Sequence, residues 1–213
     1  MFARFFVAAC AAGLVASTSG AAIVSVSGQV TQIAQPLNAQ LNALTNPATA
    51  YCWDEVQNFA LDRVVAIDAF APGTYNQTGD LVSASLGVGT VVRSHYIHFD
   101  IQPQSGSATV QGRVRFDSNI IGVIVVNEAG ARHLDDSDFL GAPTLFTHGN
   151  DYRGLEFATD AFRITILGDA IEFDLTITQP GDYIRILTQG DIPTPGSLAV
   201  GTLGLLCIAR RKR

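Results

Sequence analysis

Lysine is almost missing from this chain of 213 residues, whose single example is Lys212, one place from the end. Five of the thirteen basic residues (Arg4, Arg210, Arg211, Lys212 and Arg213) lie at the two extremities, while all nineteen acidic residues fall between Asp54 and Asp191. The part between the ends therefore sets eight arginines against nineteen acids. A surface so acidic repels phosphate backbones and anionic lipid, which excludes a nucleic-acid partner. Cysteine is scarce as well: Cys10 and Cys207 sit in apolar terminal stretches, and only Cys52 remains between them. No intramolecular disulfide can then form, so the fold must rest on its core. Tyr51 and Trp53 flank that thiol, the setting of a buried structural cysteine rather than a nucleophile. Trp53 is also the only tryptophan, which leaves an aromatic ligand-binding strip poorly supplied. Catalytic signatures are absent too. The chain has no Gly-x-Ser-x-Gly, no His-Glu-x-x-His, no phosphate loop and no Cys/His pair at catalytic spacing. Carboxylates are numerous enough for chance pairs, so pairing alone does not indicate a glycosidase. A non-catalytic protein is expected.

The two ends are the most specific stretches present. Arg4 supplies a positive start, residues 5–16 an apolar core, and Ser19-Gly20-Ala21-Ala22 a run of small residues. Residues 1–22 read as a secretory signal peptide, cleaved after Ala21 or Ala22. At the other end Pro193-Thr194-Pro195-Gly196 interrupts regular structure, because proline fixes its own backbone and restricts the residue before it. Residues 197–209 then run without a charge, and Arg210-Arg211-Lys212-Arg213 closes the chain. Such an apolar run enters lipid, and the cations hold its end on the cytoplasmic side. A full span takes roughly twenty apolar residues, more than are present, but flanking small residues extend the tolerable stretch and arginines snorkel. The competing reading is a buried C-terminal strand or helix. Four consecutive cations argue against it.

The order of motif, apolar helix and arginine cluster resembles the PEP-CTERM sorting tail of Gram-negative surface proteins. Pro193-Thr194-Pro195 stands where Pro-Glu-Pro is usual. Between residues 49 and 188, His98-Phe99-Asp100 and Asp138-Phe139-Leu140-Gly141-Ala142-Pro143 are similar to phrases in ectodomains that accompany such tails. The resemblance implies export across the inner membrane, a transient membrane anchor and cutting by an exosortase-like protease. It further implies display at the cell surface or in an extracellular matrix, in systems linked to exopolysaccharide production.

Residues 23–48 read as a lead-in, 49–190 as one β-sandwich domain and 191–213 as the sorting segment. About 170 residues between the targeting segments suffice for one domain with a substantial core. In the lead-in, Ile23-Val24-Ser25-Val26-Ser27 suits an opening strand, and Leu37, Leu41 and Leu44 after Pro36 have helical spacing. From Tyr51 onward the period is two. Residues 63–70 form a strand ended by Ala71-Pro72-Gly73. In residues 90–101, His95, Ile97, Phe99 and Ile101 face one way and Tyr96, His98 and Asp100 the other. In residues 109–116, Val110, Val114 and Phe116 point inward against Gln111, Arg113 and Arg115. Residues 120–126 are apolar enough for a strand buried on both faces. The sharpest signal is a hairpin: Phe162, Ile164 and Ile166 alternate up to Gly168-Asp169, and Ile171, Phe173, Leu175 and Ile177 resume the pattern. Pro180-Gly181-Asp182 turns the chain into a last strand over residues 183–187. Short strands, Gly/Pro turns and scarcely any helix predict an all-β antiparallel sandwich of jelly-roll type.

Three groups of residues have a chemical reading beside a plain one. His98 and Asp100 share a strand face about 7 Å apart, which reads as a solvent-facing stripe rather than a metal pair. Tyr96 and His98, joined by Tyr152 from a loop, form the candidate platform of a carbohydrate-binding module, the alternative function. Asp135, Asp136 and Asp138 offer oxygen ligands to a structural calcium ion, against the plain reading of a solvated loop with a capped turn. Asn76-Gln77-Thr78 is formally a glycosylation sequon and reads as an ordinary turn.

Overall fold

Two-residue alternation along most of a chain is satisfied by strands, because successive side chains leave opposite faces of the backbone. The computed structural model describes residues 22–40, 42–102, 106–128, 130–142, 153–155, 161–177 and 181–191. In chain order these hold the strands β1 (Ile23–Gly28), β2 (Val30–Gln32), β3 (Ala50–Asp54), β4 (Phe59–Ala60), β5 (Val65–Ile67), β6 (Gly73–Tyr75), β7 (Ala84–Leu86), β8 (Val91–Phe99), β9 (Ala108–Phe116) and β10 (Ile120–Ile124). Two short helical turns, α1 (His133–Asp136) and a tighter one over Asp138–Leu140, precede β11 (Ala161–Ile166), β12 (Ala170–Ile177) and β13 (Asp182–Gln189). The fold is all-β, as the sequence predicts.

Two sheets carry the structure. The first runs β1-β9-β12-β11-β6 and the second β10-β13-β8-β3-β2, with β4 appended to β8 and β5-β7 forming a separate ribbon. The β11–β12 hairpin has the expected register, Ile166 opposite Ile171. Gly168 takes a φ of 79° in its turn, and Leu167 N–H donates to Ala170 O at 2.8 Å. Between the sheets Val110, Val114, Phe116, Ile164, Phe173 and Leu175 of the first meet Cys52, Ile97, Phe99, Val123, Ile184 and Ile186 of the second. Removing each such large apolar side chain from water stabilises the fold by about 1.5–3 kcal/mol. Gly112 of β9 makes room for this packing. A Cβ there would lie 2.5 Å from the Phe173 ring and 3.0 Å from Val30 Cγ1.

The second sheet is covered on its other face too. Trp53, Leu61, Val65, Ile67, Tyr96, Ile124, Leu134, Leu140, Tyr183 and Leu187 form a second apolar cluster between that face and the segments laid across it. Strands β8 and β13 are consequently buried almost end to end. The alternation read for β8 holds, but neither side of either strand meets water.

Four expectations are corrected. Residues 23–48 are no lead-in, because β1 and β2 are strands of the two sheets, with Ile23 and Val30 in the core. No helix follows Pro36 among the described residues. There Asn38 Oδ1 takes Gln40 N–H (2.8 Å), Asn46 Oδ1 takes Ala48 N–H (2.9 Å), and Asn42 adopts a φ of 65°. Local side-chain bonds to the backbone compete with a helix, and they prevail here. The strand expected at 63–70 shrinks to β5, because Asp68 N–H and Ala69 N–H both turn to Val123 O. Finally, β2 pairs with β3 in parallel rather than antiparallel, which the long excursion between them permits.

Candidate functional site: a buried ionic and aromatic cluster

The covered face of the second sheet gathers most of the polar chemistry. Cross-strand pairing sets Trp53, Tyr96 and Arg185 in one row, on β3, β8 and β13, and Tyr51, His98 and Tyr183 in the next. Trp53 and Tyr96 rings are 5.2 Å apart, and His98 stacks on Tyr183 at 4.7 Å with 13° between planes. The Arg185 guanidinium carbon lies 4.9 Å from the Tyr96 ring centre, a cation–π contact.

Arg185 is fully buried and its donors are engaged. Nε and Nη2 grip the two Glu55 oxygens at 2.8 and 3.0 Å, and Nη2 also reaches Asp138 Oδ1 at 3.2 Å. Nη1 donates to Ser137 Oγ at 2.6 Å and to Leu134 O at 3.0 Å. Ser94 Oγ donates to Glu55 at 2.6 Å. Burial works against the Arg185 charge, and the Glu55 charge and hydrogen bonds more than restore it, so the guanidinium stays protonated. Beside it the buried Arg153 donates to both Asp138 oxygens at 2.6 and 2.5 Å and lies 3.2 Å from Asp135. Gly154 lets this arginine enter, because a Cβ there would collide with Val125 O and lie 2.7 Å from Asn127 N. Leu155 N–H then reaches Val125 O at 2.9 Å. Burial pushes the hydroxyls of Tyr96 and Tyr183 above their ordinary pKa, which keeps both protonated.

This placement overturns three of the readings. Tyr96 and His98 are 0 % exposed, so they present no glycan platform, and Tyr152 lies outside the described residues. Asp100 is buried with them, accepting Asn42 N–H at 2.6 Å, and the solvent-stripe reading of His98 and Asp100 goes too. The acidic run is not the calcium site envisaged, because Asp135 and Asp138 are held by guanidinium groups and already have their counter-charge. Among the described residues, no group of three or more His, Cys, Asp or Glu is arranged to hold a metal. Asp136 belongs to α1, and Asp138 opens a short helical turn ending at Leu140.

Two carboxylate–imidazole pairs escaped the sequence reading. His95 Nδ1 donates to Asp54 Oδ1 at 2.7 Å, and its Nε2 lies 3.0 Å from Thr188 Oγ1. The order carboxylate, imidazole, hydroxyl matches a nucleophilic triad, but His95 and Thr188 are buried and a substrate has no approach to the hydroxyl. The His95 ring packs 4.6 Å from Phe116 of the opposite sheet. The second pair, Asp68–His133 at 2.6 Å, shares its carboxylate with Val125 and Val126 N–H at 2.7 and 2.9 Å. Both pairs fasten one element to another. Among the described residues, Asp117, Asn119, Leu167 and Asp169 line an open surface depression. Comparison with family models, curated proteins and solved structures finds no match to this chain.

The two limits of the described domain meet at one place. Ala22 O accepts Asp117 N–H at 2.9 Å, just after β9. Arg93 Nη1 donates to the Asp117 carboxylate at 2.7 Å, and its Nη2 to Asp191. Asn58 Oδ1 accepts Asp191 N–H at 2.8 Å. Asp117 and Arg93 thus tie the start of β1 to the residue two places before Pro193.

Proposed function

We propose that this is an exported, non-catalytic protein of the cell surface or extracellular matrix, with a jelly-roll-like sandwich carried between two removable targeting segments. The signal peptide takes it across the inner membrane. The C-terminal segment, residues 191–213, anchors it briefly with Arg210, Arg211, Lys212 and Arg213 on the cytoplasmic side, and an exosortase-like protease cuts near Pro193, Thr194, Pro195 and Gly196. The observation that carries this reading is the common origin of both ends at Asp117. Ala22 and Asp191, the described residues that adjoin leader and tail, lie at one pole of the domain, an arrangement that suits two membrane-bound segments with the sandwich on the outer side. Asn58 and Arg93 hold Asp191 two places ahead of Pro193, and a protease that cuts at the Pro/Gly motif needs accessible, extended backbone there. No helix among the described residues is long and apolar enough to cross a membrane, and residues 197–209 lie outside them.

Intact mass of the surface form tests the proposal. The expected mature chain lacks Cys207, and replacing the four terminal basic residues with serine leaves unprocessed protein in the membrane fraction. A surface form that keeps Cys207 overturns the cutting step. The alternative, a carbohydrate-binding module, no longer has Tyr96 and His98 as contacts. Saturable binding of host exopolysaccharide or of a glycan panel by the exported protein would replace the non-binding reading with that one.

A further inference from the structure

Ile23 opens β1 in the first sheet, and its backbone nitrogen does not join the ladder there. It donates instead to Asp54 Oδ1, at the end of β3 in the second sheet, at 3.3 Å. The same oxygen receives His95 Nδ1 at 2.7 Å. Ile23 is 4 % exposed, His95 1 % and the Asp54 side chain 19 %. A carboxylate is therefore aimed, with little water around it, at the nitrogen that follows Ala22. That residue is one of the two at which a signal peptidase is expected to cut.

We propose that leader removal cuts the Ala22–Ile23 bond, and that the freed Ile23 ammonium locks the mature domain by an ion pair with Asp54. The proposal rests on the export reading above and deepens it. The step is a plain amide hydrolysis. One water is consumed, its oxygen stays on the Ala22 carboxyl group, which departs with the leader, and the Ile23 nitrogen takes up a proton. An α-amino group has an ordinary pKa of about 7.7–8.0, so this one is cationic at neutral pH even before Asp54 favours the charge. A neutral amide donor thus becomes a full positive charge 3.3 Å from a carboxylate. A buried charge is tolerable only with such a partner.

The alternative cut, after Ala21, leaves the cation on Ala22. Ala22 is completely buried, and its carbonyl is held by Asp117 N–H. The ammonium would then be displaced by a residue from Asp54. Cutting after Ala22 gives up the bond to Asp117 N–H and the burial of one methyl side chain. Gly20 and Ala22 also supply the small residues that a cut after Ala22 requires. The consequence concerns export: a chain that must cross a membrane unfolded forms its last brace between the sheets only once the leader has gone.

The composition supplies a clean test. No lysine occurs between Ile23 and Asp191, so the α-amine is the one primary amine of that stretch, and peptide mapping separates it from Lys212 if the tail is retained. The exported full-length product is purified, its mass taken, and its amine acylated under native conditions and in denaturant. The expected chain begins Ile-Val-Ser-Val, and its native amine reacts at least about tenfold more slowly than the unfolded one. Asp54→Asn is expected to abolish most of that protection. If this variant does not fold, a chain with one alanine inserted between Ala22 and Ile23, processed to begin Ala-Ile, is expected to react rapidly while folded. A mature chain that starts at another residue overturns the proposal. So does an equally reactive native amine, or full protection in either variant. A product that still carries its leader is recognised by mass before any labelling, and it defeats the export reading itself.

Discussion

Arg185 is the one charged side chain in the run Tyr183-Ile184-Arg185-Ile186-Leu187, and that isolation in an apolar strand was the available signal for a buried ion pair. Its partner could not be read, because Glu55 is 130 residues away and only strand pairing brings them together. The same holds for Asp54 with His95, whereas Arg153 meets Asp138 from a segment 15 residues on that belongs to no strand. Single residues announced which face they occupy; what lay opposite depended on the cover, whose segments carry no periodicity. Arg185→Met strands the Glu55 carboxylate with little beyond Ser94 Oγ for company. The expected loss is about 3–5 kcal/mol, read from urea unfolding. Adding Glu55→Leu removes the stranded charge, while Asp138 keeps Arg153, so the double variant is expected to be the more stable of the two. A double variant no better than Arg185→Met would assign the loss to packing instead.

Elements with strong alternation were the legible ones. In the β11–β12 hairpin a side-chain period of two coincides with a Gly-Asp turn, and no other register keeps Phe162, Ile164, Phe173 and Leu175 on the core side. β9 was readable for the same reason. β8 was half readable: its faces alternate as expected, yet polar residues on one side suggested water where the structure has Trp53, Tyr183 and Arg185. The stretch after Pro36 misled because leucine spacing favoured a helix while asparagine chemistry favoured turns. The hairpin assignment has a direct check. Leu175→Ala, in the core, is expected to cost about 2–5 kcal/mol. Thr176→Ala, on the outer face where its hydroxyl meets Thr109 Oγ1 at 2.7 Å, is expected to stay within about 0.5–1 kcal/mol. Equal losses in denaturant midpoint would mean that the strand is turned the other way.

At the scale of the whole molecule, three weak acids are held neutral in the interior, and this sets a limit on the alkaline side. Burial, assisted by the nearby Asp54 charge, pushes the Cys52 thiol up to about 12. Burial likewise raises Tyr96 and Tyr183. In the unfolded chain the same groups ionise at about 8.5 for cysteine and 10 for tyrosine. A group whose folded value lies above its unfolded one binds more protons when folded, so its contribution is complete below the unfolded value and declines as pH rises. The sign is therefore fixed: stability falls from about pH 8.5 upward as the unfolded thiol ionises, and more steeply above about pH 10 as the tyrosines join. The native thiol is expected to resist thiol reagents at pH 8 for the same reason. Urea midpoints at intervals from pH 7 to pH 11 measure the decline. Cys52→Ala, whatever packing it loses, is expected to show a flatter profile between pH 8.5 and 10, because the thiol contribution is gone. An unchanged slope in that variant, or a parent protein equally stable at pH 7 and pH 11, would contradict the burial of these groups in the native state.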